Sequence, residues 1–336
     1  RSEVTASSNL PARTRAFAQS RSAALLTDSS NAARVTQTLP PLVAVMVCAP
    51  AIELVESVRA ITRVVVRVER MVASVYDRIG FETYWSKKDF VLDDMNKNFL
   101  GDASLYRQML VKLEIRLQSG EPLLNYIVTI FGHLDYPFNP SRPKVIQASG
   151  DNRLVEDYAN QIYYKSRELM VFLEELRKRD PDGLIVMFGD HLPFLGPNYG
   201  GYTEIGMLES SRSRFTDPMF RTLTRAPMIV IDGRNGPVDT GELPMYRIPE
   251  LVLDLLGDNR DSILRLSRLP VESTIRPLPG LHLVVEDGKS HVCKQKDSGN
   301  RESCSNTDPL VEALDILTYD LFNGEQHGLK RMEKPG

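Results

Sequence analysis

The feature that most constrains the fold is a regular alternation of strand-type and helix-type hydrophobic patterns from residue 104 onward. The runs Leu123–Phe131 and Leu184–Phe188 are predominantly apolar, which predicts strands buried in a sheet. A long amphipathic helix is predicted between them. Its apolar stripe comprises Leu154, Tyr158, Ile162, Leu169, Phe172, Leu173 and Leu176. The charged residues that fall mostly off this stripe are Lys165, Arg167, Glu174, Glu175 and Lys178.

Further elements continue this alternation. Strands that alternate with helices predict an α/β domain with a mostly parallel central sheet and helices on both faces. In the C-terminal part, Leu281–Glu286 and His291–Cys293 predict a small antiparallel pair, and Leu310–Phe322 predicts a final helix. The other predicted elements are helices Ser104–Gln118 and Pro249–Leu256 and the strand Pro227–Ile231.

Polar residues follow the strand Leu184–Phe188 directly, in the triplet Gly189-Asp190-His191. In open α/β sheets, ligands bind beyond the carboxyl ends of the strands. A carboxylate and an imidazole suit divalent ions such as Zn²⁺, Mn²⁺ or Fe²⁺, and a glycine gives the backbone freedom to bring adjacent ligands together. The triplet therefore predicts metal ligands at Asp190 and His191. The alternative interpretation is an aspartate that caps a helix beside a packed histidine.

Two loops offer further candidate residues. His133 follows the strand Leu123–Phe131 in a loop rich in proline and aromatic residues. It could donate a hydrogen bond to a substrate oxyanion or act as an acid or base. The alternative is a loop histidine bonded to its neighbour Asp135. The segment Tyr199–Tyr202, with two glycines, could be a mobile substrate loop or a plain turn.

The first 79 residues differ in composition from the rest of the chain. They contain no Gly, Lys, His or Trp, but 10 Arg and 13 Val. Average Gly usage of about 7% predicts several glycines in a segment of this length. This region is therefore interpreted either as a low-complexity or helical extension or as the product of a shifted reading frame.

Charge, hydropathy and cysteines bound the remaining possibilities. A net charge of −3 gives no broad electrostatic case for a nucleic-acid partner. The most apolar stretch, Leu39–Ile52, is interrupted by prolines and is shorter than the roughly 20 residues of a membrane-spanning helix. Cys293 and Cys304 lie in a polar segment and form either a disulfide, which predicts an oxidising compartment, or two free thiols.

The segment Tyr158–His191 reads YANQIYYKSRELMVFLEELRKRDPDGLIVMFGDH. It resembles the lipoteichoic acid synthase and phosphoglycerol transferase group of the sulfatase (alkaline phosphatase) superfamily, in which a long helix leads to a strand that ends in Gly-Asp-His. Further segments resemble the same group in the same order, so that the resemblance covers residues 75 to 260. These segments are Val75–Phe90, Thr129–Phe138, Ala226–Asp232 and Leu243–Leu256.

The resemblance implies a three-layer α/β/α sandwich on the periplasmic or extracellular face of the cell membrane. It implies one divalent metal, with Mn²⁺ first and Mg²⁺, Zn²⁺ or Ca²⁺ as alternatives. Asp190 and His191 would be metal ligands, and His133 would contact the substrate. A threonine of this group attacks a phospholipid head group, and the glycerophospho-enzyme then passes its glycerophosphate to an envelope glycan or lipid acceptor. Such covalent catalysis divides one difficult step into two.

This chain departs from the group in its N-terminal part. Neither the metal-binding glutamate nor the nucleophilic threonine of the group can be matched within residues 1–79, so the nucleophile is unassigned. The predicted division is an atypical region 1–74, a sulfatase-like core 75–275 and a C-terminal antiparallel and helical appendage 276–336. Membrane anchoring is expected only through segments absent from this chain. The predicted functions are a phosphoglycerol transferase domain, active or inactive as this chain stands, a non-catalytic binding domain, or a sulfate-, phosphate- or phosphonate-ester hydrolase.

Overall fold

The computed structural model describes only part of the 336-residue chain. The described residues are 4–9, 74, 76–119, 123–133, 136–259, 265, 274–278, 281–286, 289–294 and 308–332. The predictions for the region 1–74 therefore fall almost entirely on residues outside the described part. The same holds for Asp135 and for Cys304.

The described strands and helices follow one another along the chain as β1 to β11 and α1 to α7. The strands are β1 Val4–Asn9, β2 Thr83–Ser86, β3 Met95–Asn96, β4 Phe99–Leu100, β5 Leu123–Val128, β6 Leu184–Phe188, β7 Met228–Asp232, β8 Gly236–Val238, β9 Thr274–Leu278, β10 Leu281–Glu286 and β11 Lys289–Lys294. The helices are α1 Asp102–Gln118, α2 Arg153–Arg179, α3 Gly200–Glu204, α4 Asp217–Leu223, α5 Ile248–Leu255, α6 Asp308–Phe322 and α7 His327–Met332. Strand β6 has the predicted bounds, and the long helix and the C-terminal hairpin are confirmed.

The described strands pair in antiparallel fashion, which differs from the mostly parallel pairing that the sequence predicted. The sheet orders are β2-β1-β5, β6-β7-β8, β9-β10-β11 and β3-β4. Parallel strands need a crossover connection, usually a long helix. Here β7 and β8 are joined by a short hairpin, and the segment between β6 and β7 returns through short helices. Strands β5 and β6, which flank the long helix α2, lie in separate sheets.

The core beside β6 is built from helices α1 and α2. The rings of Tyr106 on α1 and Phe172 on α2 are stacked, with centroids 4.5 Å apart and an interplanar angle of 14°. Burying an aliphatic or aromatic side chain of this size contributes about 1.5–3 kcal/mol. This core fixes the direction of α2 and of β6, whose end carries the predicted metal ligands. Its buried members are Tyr106, Leu110, Leu169, Phe172, Leu173 and Met187.

Lys165 contradicts the sequence-based assignment of the polar face of α2. Lys165 is only 1% exposed, although the sequence pattern predicted that it lies outside the apolar stripe of the helix. It lies three residues after Ile162 and four before Leu169, so it shares their buried face. A buried ammonium group is tolerated only when it is paired and hydrogen-bonded. Here Lys165 lies 3.5 Å from a carboxylate oxygen of Asp102, at the start of α1.

The described residues fall into two compact units. The first contains residues up to 195 together with 226–238, and the second contains 196–225 and the residues from 239 onward. The predicted division at residues 74 and 275 stays a prediction. Within the described ranges, no helix combines the length and apolar character needed to cross a membrane.

The second unit contains the C-terminal hairpin β10–β11. The backbone N–H of Val292 donates to a carboxylate oxygen of Asp217, in α4, at 3.2 Å. Cys293, in β11, is disulfide-bonded, and its partner lies outside the described residues. The cross-link thus anchors a β-strand that is already held by the hairpin and by α4.

Candidate active site

Asp190 and His191 lie directly after β6, and their side chains contact each other. Atoms Nε2 of His191 and Oδ2 of Asp190 are 3.4 Å apart, and the side chains are 63% and 37% exposed, respectively. The backbone N–H of Gly189 donates to the Pro227 carbonyl oxygen at 3.0 Å, which ties the triplet to the start of β7. Because His191 is exposed, the alternative of a packed histidine does not describe this site.

A metal ion needs more ligands than this pair provides. A carboxylate and an imidazole are suitable donors for a divalent ion, and protein sites contribute at least three such ligands as a rule. Among the residues that the structure describes, no group of three or more His, Cys, Asp or Glu side chains is placed to hold a metal. The described residues alone therefore do not form a complete metal centre.

His133 is carried by a tight turn that follows β5. Gly132 has a φ of +86°, a backbone conformation that glycine adopts without a steric penalty. The N–H of His133 donates to the Ile130 carbonyl oxygen at 3.0 Å, which closes the turn. The imidazole is half-buried, and its centroid lies 6.5 Å from that of the Phe99 ring. The turn therefore holds the imidazole of His133 near the Phe99 ring, in a position that is only partly shielded from solvent.

Tyr136 connects the His133 loop with the segment that follows Asp190 and His191. Its hydroxyl donates to the carbonyl oxygen of Phe194 at 2.9 Å, and the residue is only 4% exposed. Burial raises the pKa of the Tyr136 phenol to about 12, so the hydroxyl keeps its proton and remains a donor at neutral pH. This hydrogen bond brings the predicted substrate loop and the strand-end segment together, a connection that the sequence did not reveal.

Replacing Tyr136 by Phe removes this hydrogen bond while keeping the ring. We expect the free energy of unfolding to fall by about 0.5–1.5 kcal/mol, because the part-buried hydrogen bond to the Phe194 carbonyl oxygen is lost. Denaturant titration of the purified variant measures this difference. Tyr163→Phe is the matched control, because the hydroxyl of Tyr163 makes an exposed contact with Arg167. Equal losses in the two variants would contradict the importance assigned to the link.

Arg142 anchors the C-terminal side of the same loop. It pairs with both oxygens of Asp94, and its Nε donates to Glu168 on α2 at 2.8 Å. Hydrogen bonds to Asp94 raise the pKa of the guanidinium, and the same contacts lower the pKa of the Asp94 carboxyl. Its side chain is 11% exposed, so the network is largely shielded from water. The chain after His133 is therefore held in place by the paired hydrogen bonds from Arg142 to Asp94 and by its hydrogen bond to Glu168.

The segment around Tyr199 forms an ordered turn. A single turn of 3₁₀-helix, Pro197–Tyr199, leads directly into α3. Asn198 and Tyr199 both have positive φ values, of 52° and 59°. Left-handed backbone at two successive residues without a glycine is uncommon and marks a sharp change of chain direction. This geometry favours the turn interpretation of the two that the sequence left open.

Comparison with known proteins relates the chain to one family. The profile of the sulfatase family matches residues 68–236 of this chain. A protein of Rhizobium meliloti, provisionally named for cyclic beta-1,2-glucan modification, is 24% identical over 169 residues, which are 49% of this chain and 26% of that protein. A lipoteichoic acid synthase of Staphylococcus saprophyticus is 21% identical over 188 residues, 54% of this chain and 28% of the synthase.

A solved structure is also similar in part. The lipoteichoic acid synthase LtaP from Listeria monocytogenes aligns with 70% of this chain and 63% of its own, with a TM-score of 0.47 and 16% sequence identity. The chain spans only about a quarter of the length of the curated relatives that it matches. The family match confirms the predicted α/β fold class and the relationship to the lipoteichoic acid synthase group.

Proposed function

Because this chain belongs to the sulfatase family, we propose that it carries part of the active site of a phosphoglycerol transferase that works at the cell envelope. The substrates proposed are a lipid head group, as glycerophosphate donor, and an envelope glycan or lipid acceptor. The similar proteins named for lipoteichoic acid synthesis and for glucan modification support this choice. The proposed location is the periplasmic or extracellular face of the membrane.

The observation that carries the proposal is the juxtaposition of two loops at one place in the first unit. The Tyr136–Phe194 hydrogen bond joins the loop of His133 to the segment that begins with Asp190 and His191. Phosphoryl transfer needs donors aimed at the phosphate oxygens and groups that hold the reacting atoms in line. The imidazole of His133 and the exposed side chains of Asp190 and His191 are groups of the kind required, and the Tyr136–Phe194 hydrogen bond joins the segments that carry them.

Within this proposal the side chains have separate roles. The imidazole of His133 donates a hydrogen bond to a phosphate oxygen of the donor, which orients the phosphorus for attack. Asp190 and His191 supply two ligands of a divalent ion, with Mn²⁺ as the first choice and Mg²⁺, Zn²⁺ or Ca²⁺ as alternatives. Such an ion would neutralise phosphoryl oxygens when bound. The nucleophilic threonine and a third ligand are assigned to no residue.

Replacing His133 by Ala tests the role of the imidazole. We expect kcat/KM for release of glycerophosphate from phosphatidylglycerol vesicles to fall roughly 10–100-fold, because a hydrogen bond to a charged group contributes about 1.5–3 kcal/mol. The matched control is His327→Ala, an exposed histidine at the start of α7. Vesicle assays with Mn²⁺ and quantified water-soluble phosphate measure both variants. An effect of His133→Ala no larger than that of the control contradicts the assignment.

Two other functions remain to be separated by the same assays. A non-catalytic binding domain is favoured by the presence of only two candidate ligands among the described residues. It predicts no release of head groups and no stoichiometric metal. A hydrolase is favoured by the sulfatase family match itself. It predicts turnover of an aryl sulfate or a phosphonate ester and none of phosphatidylglycerol.

A further inference from the structure

Lys165, on helix α2, holds the beginning of the His133 loop. Its ammonium group donates to the carbonyl oxygen of Phe131 at 2.8 Å and to the hydroxyl of Thr129 at 2.7 Å. Phe131 lies two residues before His133, and its side chain is fully buried. The chain therefore leaves β5 along a path that is fixed by one buried cation.

Gln161 holds the other end of the loop. Its side-chain N–H donates to the Pro137 carbonyl oxygen at 2.9 Å, and Asn96 donates to the same oxygen at 3.3 Å. Gln161 is 8% exposed and precedes Lys165 by four residues, so the two side chains are neighbours on one face of α2. Lys165 and Gln161, one helical turn apart, thus donate hydrogen bonds to the backbone before and after His133.

The charge of Lys165 is balanced in the interior by Asp102. The two groups are 3.5 Å apart, and both side chains are at most 2% exposed. Burial raises the pKa of the Asp102 carboxyl to about 6, because desolvation outweighs the attraction of Lys165. A methionine of similar length would fill this space without any ionic partner, whereas a lysine places a directed donor at the carbonyl of Phe131. The presence of a buried lysine at this position is therefore most simply explained by its hydrogen bond to the carbonyl oxygen of Phe131.

We propose that Lys165 and Gln161 are positioning residues that set the orientation of the His133 imidazole toward the substrate phosphate. This inference rests on the proposed function for the role of His133. The clamp itself, meaning Lys165 and Gln161 of α2, rests only on their hydrogen bonds to Thr129, Phe131 and Pro137. Gly132 contributes to the fit. A methyl group built at this position would lie 3.8–3.9 Å from side-chain atoms of Gln161, Ile162 and Lys165, so the turn packs directly on this face of α2.

A double-mutant cycle tests whether the clamp acts through His133. We expect Gln161→Met and Lys165→Met each to lower kcat/KM for phosphatidylglycerol roughly 10-fold, since small displacements of a positioning group have effects of this size or larger. In the His133→Ala background the same substitutions should change kcat/KM by less than about 2-fold, because the group that they position is gone. Equal losses in both backgrounds would overturn the proposal and indicate a merely structural role.

A second measurement does not depend on turnover. The chain has five histidines, and the imidazole ¹³C–¹H signal of His133 is identified by its loss in His133→Ala. Gln161→Met, the milder variant, should shift or broaden this signal and leave that of His327, at the start of α7, unchanged. An unaltered His133 signal would refute the clamp even if the wild-type protein is active. If Gln161→Met alters the His133 signal but the wild-type protein releases no head group, the clamp is retained and the proposed function is refuted.

Discussion

Replacing Asp190 by Asn is expected to abolish the stabilisation that Mn²⁺ gives to the wild-type chain. A ligand present at 100 times its dissociation constant stabilises the folded state by about 2.7 kcal/mol. A neutral amide is a poor substitute for a carboxylate at a divalent ion, and even loss of a group that merely orients a ligand lowers metal affinity roughly 10–100-fold. The wild-type unfolding temperature should therefore rise with Mn²⁺, and that of Asp190→Asn should not.

The measurement is thermal unfolding with and without Mn²⁺, together with the metal content of the protein after gel filtration. The control is Asp182→Asn, because Asp182 lies in the turn before β6, at the opposite end of the strand from Asp190. Asp182→Asn should keep the wild-type response. Unchanged metal stoichiometry in Asp190→Asn would refute the ligand assignment. A wild-type chain that itself takes up no Mn²⁺, Zn²⁺, Mg²⁺ or Ca²⁺ would support the non-catalytic alternative.

Replacing Lys165 by Met is expected to destabilise the fold by about 3–5 kcal/mol at pH 8, because it leaves the Asp102 carboxylate buried without its cation. The effect should decrease as the pH falls. The folded-state pKa of Asp102 is raised to about 6 from an ordinary value of 3.8, so the carboxyl binds a proton more readily in the folded state than in the unfolded state. The cost of burying the charge is fully present above pH 6 and is lost progressively as the pH falls from about 6 toward 3.8.

Removal of Lys165 takes away an attraction that lowers the Asp102 pKa, so the folded-state pKa should rise further in the variant. The difference in unfolding free energy between wild type and Lys165→Met should therefore be larger at pH 8 than at pH 5, as measured by urea titration. The double variant Lys165→Met/Asp102→Asn should recover most of the loss at pH 8. Lys178→Met, at a lysine that is 67% exposed on the same helix, should change stability by less than about 0.5 kcal/mol. A difference that does not vary with pH would contradict the buried-pair explanation.

The sequence was sufficient to predict the elements whose signal is local. Strand β6 is a continuous apolar run between a Pro-Asp-Gly turn and a glycine, and α2 carries a long apolar stripe, so both were predicted near their observed bounds. The direction in which the strands pair was not predictable in the same way. Hydrophobic pattern shows that a strand is buried, but pairing direction depends on how the connecting segment returns, and that information is not local.

The candidate site was predictable only in part for the same reason. Asp190, His191 and His133 are marked by their position directly after apolar strands. Tyr136 and Arg142 are not marked by any spacing, because their partners Phe194, Asp94 and Glu168 lie between 26 and 58 residues away along the chain. Lys165 was misassigned because a charged residue on an amphipathic helix normally faces water.

The hydrogen bond from Tyr136 to Phe194 is expected to link the two loops thermodynamically. A ligand that orders the 190–195 segment also restricts Tyr136, so the loop of His133 has less conformational freedom left to lose when a second ligand binds there. Linkage is reciprocal, so whatever factor an ion at Asp190 adds to the affinity for a phosphate ester near His133, the ester adds the same factor to the affinity for the ion. Tyr136→Phe should weaken this mutual enhancement more than it weakens either ligand measured alone.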